Sequence, residues 1–264
     1  MDISLKKIHL ISKDSRLSGW FFRCNAPSSN PLAVLLHGYP GSDRDPLSLG
    51  SMICEGGINV IAFNYRGTWE SEGINSYDTS IDDILSVNSY VHSSEISQDL
   101  LIEPCSISFI GYSYGGGAAL IASTRDTRID KIAVLAPLNL GEFGRQLLES
   151  EQLRAIHEAF IDETMGENGM IRGPGGKTTH LQIIDSIDEY DLFGIIDELI
   201  DKDILILGGE RDVELPFDRH VLPLFSKLKK KGSSVCLEVY DTDHVFTGVE
   251  EQVAERLILW VNST

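Results

Sequence analysis

The stretch FIGYSYGGGAAL, residues 109–120, decides how this chain is interpreted, because it holds one serine between two glycines where an apolar run meets a run of small residues. Within it, residues 111–115 (GYSYG) fit the pattern G-x-S-x-G, which describes a sharp turn from a strand into a helix. Such a turn holds its serine in a strained, exposed conformation, and the flanking glycines let strand and helix approach closely. The apolar SISFI before it and the small-residue GGGAAL after it favour this structure over a tight turn with a capping serine. We therefore predict that Ser113 is a nucleophile.

The composition is that of a globular protein with a sizeable core. The 264 residues are 42% hydrophobic and 23% charged, which suits one large domain, with or without an inserted subdomain. No stretch approaches the roughly 18 uninterrupted apolar residues of a membrane-spanning helix. The N-terminal MDISLKKIHLISKDS lacks the basic segment, apolar core and cleavage site of a signal peptide, so we expect a cytoplasmic protein without a membrane span.

The charge argues against one class of partner. With 40 acidic side chains against 22 basic ones the net charge is −18, whereas a nucleic-acid-binding protein needs a basic surface. The basic cluster at residues 227–231 has the pattern of a solvated helix end before Gly232. The four cysteines lie far apart, with no histidine at metal-ligand spacing, so neither a zinc site nor disulfides are expected. We expect a small-molecule substrate and no nucleic acid.

Strand-like and helix-like patterns alternate along most of the chain. Short apolar runs such as PLAVLLHG, INVIAFNYRG and SISFIGYS are typical of buried parallel strands, and amphipathic stretches separate them. This order predicts an α/β protein with a mostly parallel sheet and helices on both faces. Residues 139–202 interrupt the alternation with helical patterns of their own. We interpret them as an inserted cap, between core segments at residues 1–138 and 203–264.

A serine hydroxyl needs a base, and a carboxylate to orient that base, before it can act as a nucleophile near neutral pH. Of seven histidines, His244 follows the last predicted strand, in VYDTDHVF, where a loop reaches the same sheet edge as the serine. The carboxylate is expected after the strand at 203–209, where LILGGERDVELP supplies Glu210 and Asp212. We favour Asp212, because the residues before it let the loop turn back toward the site. Asp218 is interpreted as a charge at the start of the next helix.

A second glycine-rich loop is predicted to supply hydrogen-bond donors. Acyl transfer develops negative charge on an oxygen, and each backbone N–H aimed at that oxygen contributes about 3 kcal/mol. The stretch LLHGYPG, residues 35–41, ends a strand in a loop that can point N–H groups inward. We expect the N–H groups of Tyr39 and Tyr114 to form the donor pair, one from each loop. The alternative is an ordinary turn that ends the strand.

Together these motifs resemble the α/β-hydrolase superfamily. Ser113, Asp212 and His244 follow the nucleophile, acid and base order of that superfamily. HGYPG resembles its oxyanion loop, GGERD and DTDHVF resemble its acid and histidine loops, and FNYRGTWESEG resembles a stretch found in bacterial esterases and in dipeptidyl-peptidase-like enzymes. The resemblance covers residues 17–138 and 203–262. It implies an eight-stranded, mostly parallel sheet and no metal or organic cofactor.

The inserted segment 139–202 resembles the cap of small esterases such as cinnamoyl esterases, and we expect it to roof an acyl pocket. An alternative interpretation makes its apolar residues only the inner face of a cap helix. We expect a serine carboxylesterase that acts on small acyl esters. A dipeptidyl-peptidase-like serine peptidase or acylaminoacyl hydrolase, and a catalytically silent binding protein, are the alternatives, and the oligomeric state is left open. The residues predicted to line the pocket are Phe143, Leu147, Leu148, Ile156 and Phe160.

Overall fold

Eight strands form one sheet through the middle of the molecule. The computed structural model describes residues 3–263 apart from 25–29, 42–43, 103 and 166–169. The strands are β1 (Ser4–Ser12), β2 (Ser15–Arg23), β3 (Leu32–Leu36), β4 (Asn59–Phe63), β5 (Ile107–Tyr112), β6 (Lys131–Leu135), β7 (Asp203–Gly209) and β8 (Cys236–Tyr240).

The sheet has the order β1-β2-β4-β3-β5-β6-β7-β8. The first two strands form an antiparallel hairpin, β2 pairs antiparallel with β4, and the six strands from β4 to β8 are parallel. Every residue of β3 and β4 is buried, because helices cover both faces of the sheet, and this accounts for their unbroken apolar sequences. The predicted fold class, a mostly parallel α/β sheet of eight strands, is confirmed.

Helices cover both faces of the sheet, and each face has its own apolar core. One core contains Leu224 from α8 together with apolar residues of α2 and α4, and the other contains Ile53 from α1 and Leu257 from α9. The helices are α1 (Leu49–Glu55), α2 (Tyr77–Val91), α3 (Glu95–Asp99), α4 (Tyr114–Arg125), α5 (Leu140–Glu149), α6 (Glu151–Thr164), α7 (Gly176–Asp185), α8 (Val221–Lys230) and α9 (Glu250–Val261).

Between β6 and β7 the chain forms α5, α6 and α7, which pack against one another, and a short 3₁₀ helix at Ile196–Leu199. This is the segment 139–202 that interrupts the strand–helix alternation, and its residues 166–169 lie outside the described residues. Its standing as a separate cap stays a prediction. None of the helices in the described ranges is long and apolar enough to cross a membrane.

Candidate functional site

The candidate site begins at Ser113, in the turn between β5 and α4. Its backbone has φ 52° and ψ −114°, a region that residues other than glycine rarely adopt. Backbone hydrogen bonds to the next strand and its loop hold it there: its N–H donates to the carbonyl of Leu135 at 2.8 Å, and its carbonyl accepts from the N–H of Leu138 at 2.9 Å. The strained conformation is therefore fixed by the neighbouring strand β6 and the loop that follows it.

The glycines around Ser113 are required by close backbone packing. A Cβ added to Gly111 would lie 2.5 Å from the carbonyl oxygen of Gly115, and a Cβ on Gly115 would lie 2.4 Å from that of Leu36. Side-chain carbons do not approach backbone oxygens this closely, so a larger residue would push α4 away from the sheet. The G-x-S-x-G pattern thus places the start of α4 directly against the end of β3.

Three side chains from the ends of three strands meet at this turn. The Oγ of Ser113 lies 3.0 Å from Nε2 of His244, and Nδ1 of His244 lies 2.6 Å from Oδ2 of Asp212. Ser113 follows β5, Asp212 follows β7 and His244 follows β8, so the parallel strands deliver all three to one sheet edge. Both distances are within hydrogen-bond reach, the geometry required between a nucleophile, its base and the group that orients the base.

The carboxylate of Asp212 is held by the backbone of its own loop. Its Oδ1 accepts hydrogen bonds from the N–H groups of Glu214 at 2.9 Å and Leu215 at 2.8 Å, which leaves Oδ2 for His244. The other candidate acids do not take this place. Glu210 is exposed, and so is Asp218, which lies before α8 and not at its start as predicted, because that helix begins only at Val221.

The predicted donor loop at residues 37–41 lies beside the serine. A Cβ on Gly38 would come within 2.9 Å of the Tyr112 ring and 3.3 Å of the Ser113 Cβ, so this backbone passes close to Ser113. Tyr114 is the first residue of α4, and its N–H therefore has no acceptor within the helix. The structure brings the loops of Tyr39 and Tyr114 together around Ser113.

His37, which sequence reasoning treated only as part of a loop, holds this donor loop in place. Its Nδ1 lies 2.7 Å from the carbonyl oxygen of Gly38, and its ring packs against Tyr65 with 4.4 Å between centroids. In a trans peptide the C=O and N–H point in opposite directions, so fixing the Gly38 carbonyl toward His37 turns the N–H of Tyr39 away from it. Burial lowers the pKa of His37 to about 4, so the ring is neutral near pH 7. The only sequence signal for this contact is the dipeptide His-Gly at the end of β3.

A cavity of about 730 Å³ opens above Ser113 and His244. Its lining is mostly apolar and comes from the donor loop, from the loops after β7 and β8, and from α5, α6 and α7. Of the five residues predicted to line it, Phe143, Ile156 and Phe160 do so. The cavity is large enough for a small organic molecule.

For two residues the prediction that they line the cavity is wrong. Leu147 is fully buried in the core on one face of the sheet, and Leu148 is 54% exposed, so neither reaches the cavity. On α5, Leu148 is rotated by about 100° from Leu147, and this rotation turns its side chain from the core to solvent.

Sequence reasoning also missed several lining residues. Val213 and Val245 directly follow Asp212 and His244 in sequence, and their place beside the two predicted site residues is a signal that could have been used. His157 of α6 also lines the cavity, and its Nδ1 lies 2.8 Å from Nε2 of His180 in α7. Burial, with the neighbouring His180, lowers the pKa of His157 to about 4. No group of three or more His, Cys, Asp or Glu side chains within the described ranges is arranged to hold a metal ion.

Comparison with known proteins identifies bacterial relatives of this chain by sequence. No model of a known protein family matches it. Uncharacterized protein YfhR of Escherichia coli O157:H7 is 31% identical over 252 residues, which are 92% of this chain and 74% of YfhR. The chain belongs to the YfhR family. With YfhR of Escherichia coli K12 the match is 31% over 130 residues and spans 47% of this chain and 44% of the relative, less than half its length.

Solved structures identify the fold of this family member. The Pyrococcus furiosus esterase Pf2001 superposes with a TM-score of 0.72 at 18% identity, covering 98% of this chain and 91% of that one. Est1E from Butyrivibrio proteoclasticus, with ferulic acid bound, superposes with a TM-score of 0.71 at 17% identity, covering 96% and 97%. At these identities the likeness concerns the fold, which is that of the α/β hydrolases, as the resemblance implies.

Proposed function

We propose that the protein is a serine hydrolase, a carboxylesterase that cleaves esters of small substrates through an acyl-enzyme intermediate. The observation that carries this proposal is the hydrogen-bonded chain from the Oγ of Ser113 through His244 to Asp212, at the floor of an apolar cavity. Such a chain turns a weak hydroxyl nucleophile into a reactive one. Pf2001 is an esterase with the same fold, which supports the same reaction class.

In the first half of the reaction, Oγ of Ser113 attacks the ester carbonyl carbon while Nε2 of His244 accepts the hydroxyl proton. The carbonyl electron pair moves to oxygen, and the N–H groups of Tyr39 and Tyr114 donate to the resulting oxyanion. Asp212 keeps the other imidazole proton on Nδ1 and stabilises the imidazolium. The electron pair on the oxyanion then re-forms the carbonyl double bond, the ester C–O bond breaks, and the alcohol leaves with the proton from His244.

In the second half, water takes the place of the alcohol. His244 accepts a proton from the water as its oxygen attacks the acyl carbon, and the same two N–H groups receive the new oxyanion. Collapse of this intermediate breaks the bond to Ser113 Oγ, which recovers its proton from His244. The products are one carboxylic acid and the free hydroxyl, and no cofactor takes part in these steps.

The cavity above the site supports a small, apolar acyl group. We propose that residues 139–202 form a cap over the site and that Phe143, Ile156 and Phe160 contact the acyl group. Apolar walls bind hydrocarbon by removing it from water, at about 25 cal/mol per Å² of buried surface. They also keep bulk water from the oxyanion, which strengthens the hydrogen bonds that stabilise it.

A serine-reactive phosphonate probe and a substrate panel test the proposal. We expect the wild-type protein to be labelled at Ser113 and to hydrolyse p-nitrophenyl esters, and Ser113→Ala to lose both properties while its circular dichroism is unchanged. Turnover of more than a few per cent in a folded Ser113→Ala variant would remove the nucleophile assignment. Faster cleavage of aminoacyl amides than of esters would favour the peptidase alternative, and absence of labelling would favour a catalytically silent binding protein.

A further inference from the structure

A second cavity, of about 270 Å³, adjoins the first on the far side of the donor loops. The residues that line both cavities include Tyr39 and Tyr114, whose N–H groups we assign to the oxyanion, and also Leu140 of α5. The second cavity reaches from there to the start of α2 and the end of α7. A group bound in it would therefore lie a short distance from an ester at Ser113.

Four tyrosine rings follow one another along this second cavity. The rings of Tyr39 and Tyr114 are 5.8 Å apart, those of Tyr114 and Tyr77 are 5.0 Å apart, and those of Tyr77 and Tyr190 are 4.8 Å apart. All four line the cavity. Aromatic rings attract cations over their faces, so a row of rings along a cavity wall favours an organic cation.

The charged residues of this lining are all acidic. Asp78 and Asp185 line the cavity, and no lysine, arginine or histidine of the described residues does. Oδ1 of Asp78 accepts a hydrogen bond from the hydroxyl of Tyr190, which fixes the carboxylate at the wall. The nearby Arg125 is paired with Glu189 at 3.6 Å and also hydrogen-bonds the hydroxyl of Tyr190, so one cation of the protein lies beside this wall.

One feature opposes a cation, the N-terminus of α2, whose free N–H groups favour negative charge. That effect is reduced locally, because the side chain of Ser76 caps the N–H of Thr79 at 3.2 Å and Asp78 lies in the first turn. The net charge of −18 also attracts cations toward the whole molecule. The balance of charge in the cavity is negative.

We propose that the second cavity binds an alkylammonium group of the substrate, so that the ester cleaved at Ser113 carries a positive charge on its alcohol or its acyl part. This inference rests on the proposed esterase function and names its substrate class. The tyrosine rings contact the alkyl carbons and attract the charge, and the two carboxylates neutralise it. Neutral esters of the same shape bind the apolar cavity only.

Isosteric ester pairs test the substrate class. On the alcohol side the pair is acetylcholine and 3,3-dimethylbutyl acetate, and on the acyl side it is the p-nitrophenyl esters of 4-(trimethylammonio)butanoate and 5,5-dimethylhexanoate. Within each pair a quaternary nitrogen replaces a quaternary carbon, so size is matched. We expect kcat/KM for the cationic ester to exceed that for the neutral one by about tenfold or more in one pair, which also tells which part carries the charge.

Two variants locate the effect. Asp78→Asn keeps the shape of the side chain and its contact with Tyr190, and it should reduce the preference for the cationic ester to below threefold. Asp188→Asn removes an exposed charge three residues from Asp185 and outside the cavity lining, and it should leave the preference unchanged. Equal or faster cleavage of the neutral ester in both pairs overturns the inference, and so does an unchanged preference in Asp78→Asn.

Binding separates this inference from the esterase proposal. The Ser113→Ala variant is titrated calorimetrically with both members of each isosteric pair. Selective binding of acetylcholine without turnover by the wild-type protein sustains the cation site and rejects the esterase. Hydrolysis of neutral esters without selective binding of either cationic ester rejects the cation site and sustains the esterase.

Discussion

Replacing Asp212 by asparagine reverses the proton pattern of the site, because the backbone fixes the direction in which the new amide must face. Oδ1 of Asp212 accepts from two N–H groups, those of Glu214 and Leu215. An asparagine has only one acceptor oxygen, which must stay on these two donors, so its NH₂ group faces His244. Nδ1 of His244 then accepts a hydrogen bond, and the imidazole proton moves to Nε2, which faces Ser113.

A histidine with its proton on Nε2 cannot accept the proton of the serine hydroxyl. Loss of the correct tautomer in such a site lowers kcat by about 10⁴-fold, which is about 5 kcal/mol in the activation free energy. The walls of the cavity are untouched by the substitution, so KM should stay within about threefold. The prediction for Asp212→Asn is therefore a large change in kcat with little change in KM.

The assay is steady-state hydrolysis of p-nitrophenyl acetate at pH 8, with circular dichroism to check that each variant is folded. Glu210→Gln and Asp218→Asn are the matched controls, since both remove an exposed carboxylate near the same loop, and each should stay within twofold of wild type. A folded Asp212→Asn variant with less than a tenfold loss of kcat would refute the reasoning. A larger loss in Asp218→Asn would show that another carboxylate orients the base.

Three further predictions follow from packing and burial. Gly115→Ala should lower the free energy of unfolding by about 2 kcal/mol or more in urea titrations, because its Cβ would meet backbone at 2.4 Å; an unchanged midpoint contradicts this. Replacing 139–202 by a short linker should change acyl-chain preference and KM far more than the rate of phosphonate labelling at Ser113, and an unchanged ester profile in a folded variant would make the segment peripheral. Burial lowers the pKa of three histidines to about 4 in the folded state, so the unfolded chain binds more protons than the folded one between pH 6.5 and 4. The free energy of unfolding should therefore fall as the pH is lowered through that range, with each histidine contributing up to about 3 kcal/mol. A free energy of unfolding that stays constant between pH 7 and 5 would contradict this prediction. These histidines are His37, His157 and His220.

The strands of the core are predictable because their cause is local. A parallel strand covered on both faces must be apolar along its whole length, so LAVLL, NVIAF and DILILGG show their role directly in the sequence. The meeting of Ser113, Asp212 and His244 is predictable for a related reason. Once strands are parallel, the residues that follow them arrive at one edge, and the sequence already contains the three residue types in order.

The lining of the cavity is less predictable because it depends on where each helix begins. The sequence of α5 and α6 has one continuous helical pattern, but Ser150 adopts φ −129° and ψ 108°, ends the first helix and caps the second. This break changes the direction of α6 relative to α5, and no periodicity within either helix records it. Leu148 faces solvent on α5 and Ile156 lines the cavity on α6, although both look alike in sequence.

Backbone strain escaped prediction too. The pattern over residues 45–56 predicts one helix, whereas the structure has a 3₁₀ turn at Pro46–Ser48 and then α1, with Leu47 and Ser48 at φ 52° and 59°. Leu47 lines the cavity in this conformation. The positive φ of such residues is set by what surrounds them and not by their own preference, so only the folded structure shows it.

Ser113 and His244 are 131 residues apart in the chain and still share a hydrogen bond. Contacts of such long range form late in folding, because the entropy of closing a long loop is lost before the contact stabilises the chain. The helices and the β1–β2 hairpin can form from neighbouring residues, but the hydroxyl of Ser113 has no base until β7 and β8 have joined the sheet. In a refolding experiment, labelling of Ser113 by a phosphonate should therefore appear after the far-ultraviolet signal of the helices has recovered. The rate at which a phosphonate labels Ser113 thus reports when the sheet is complete.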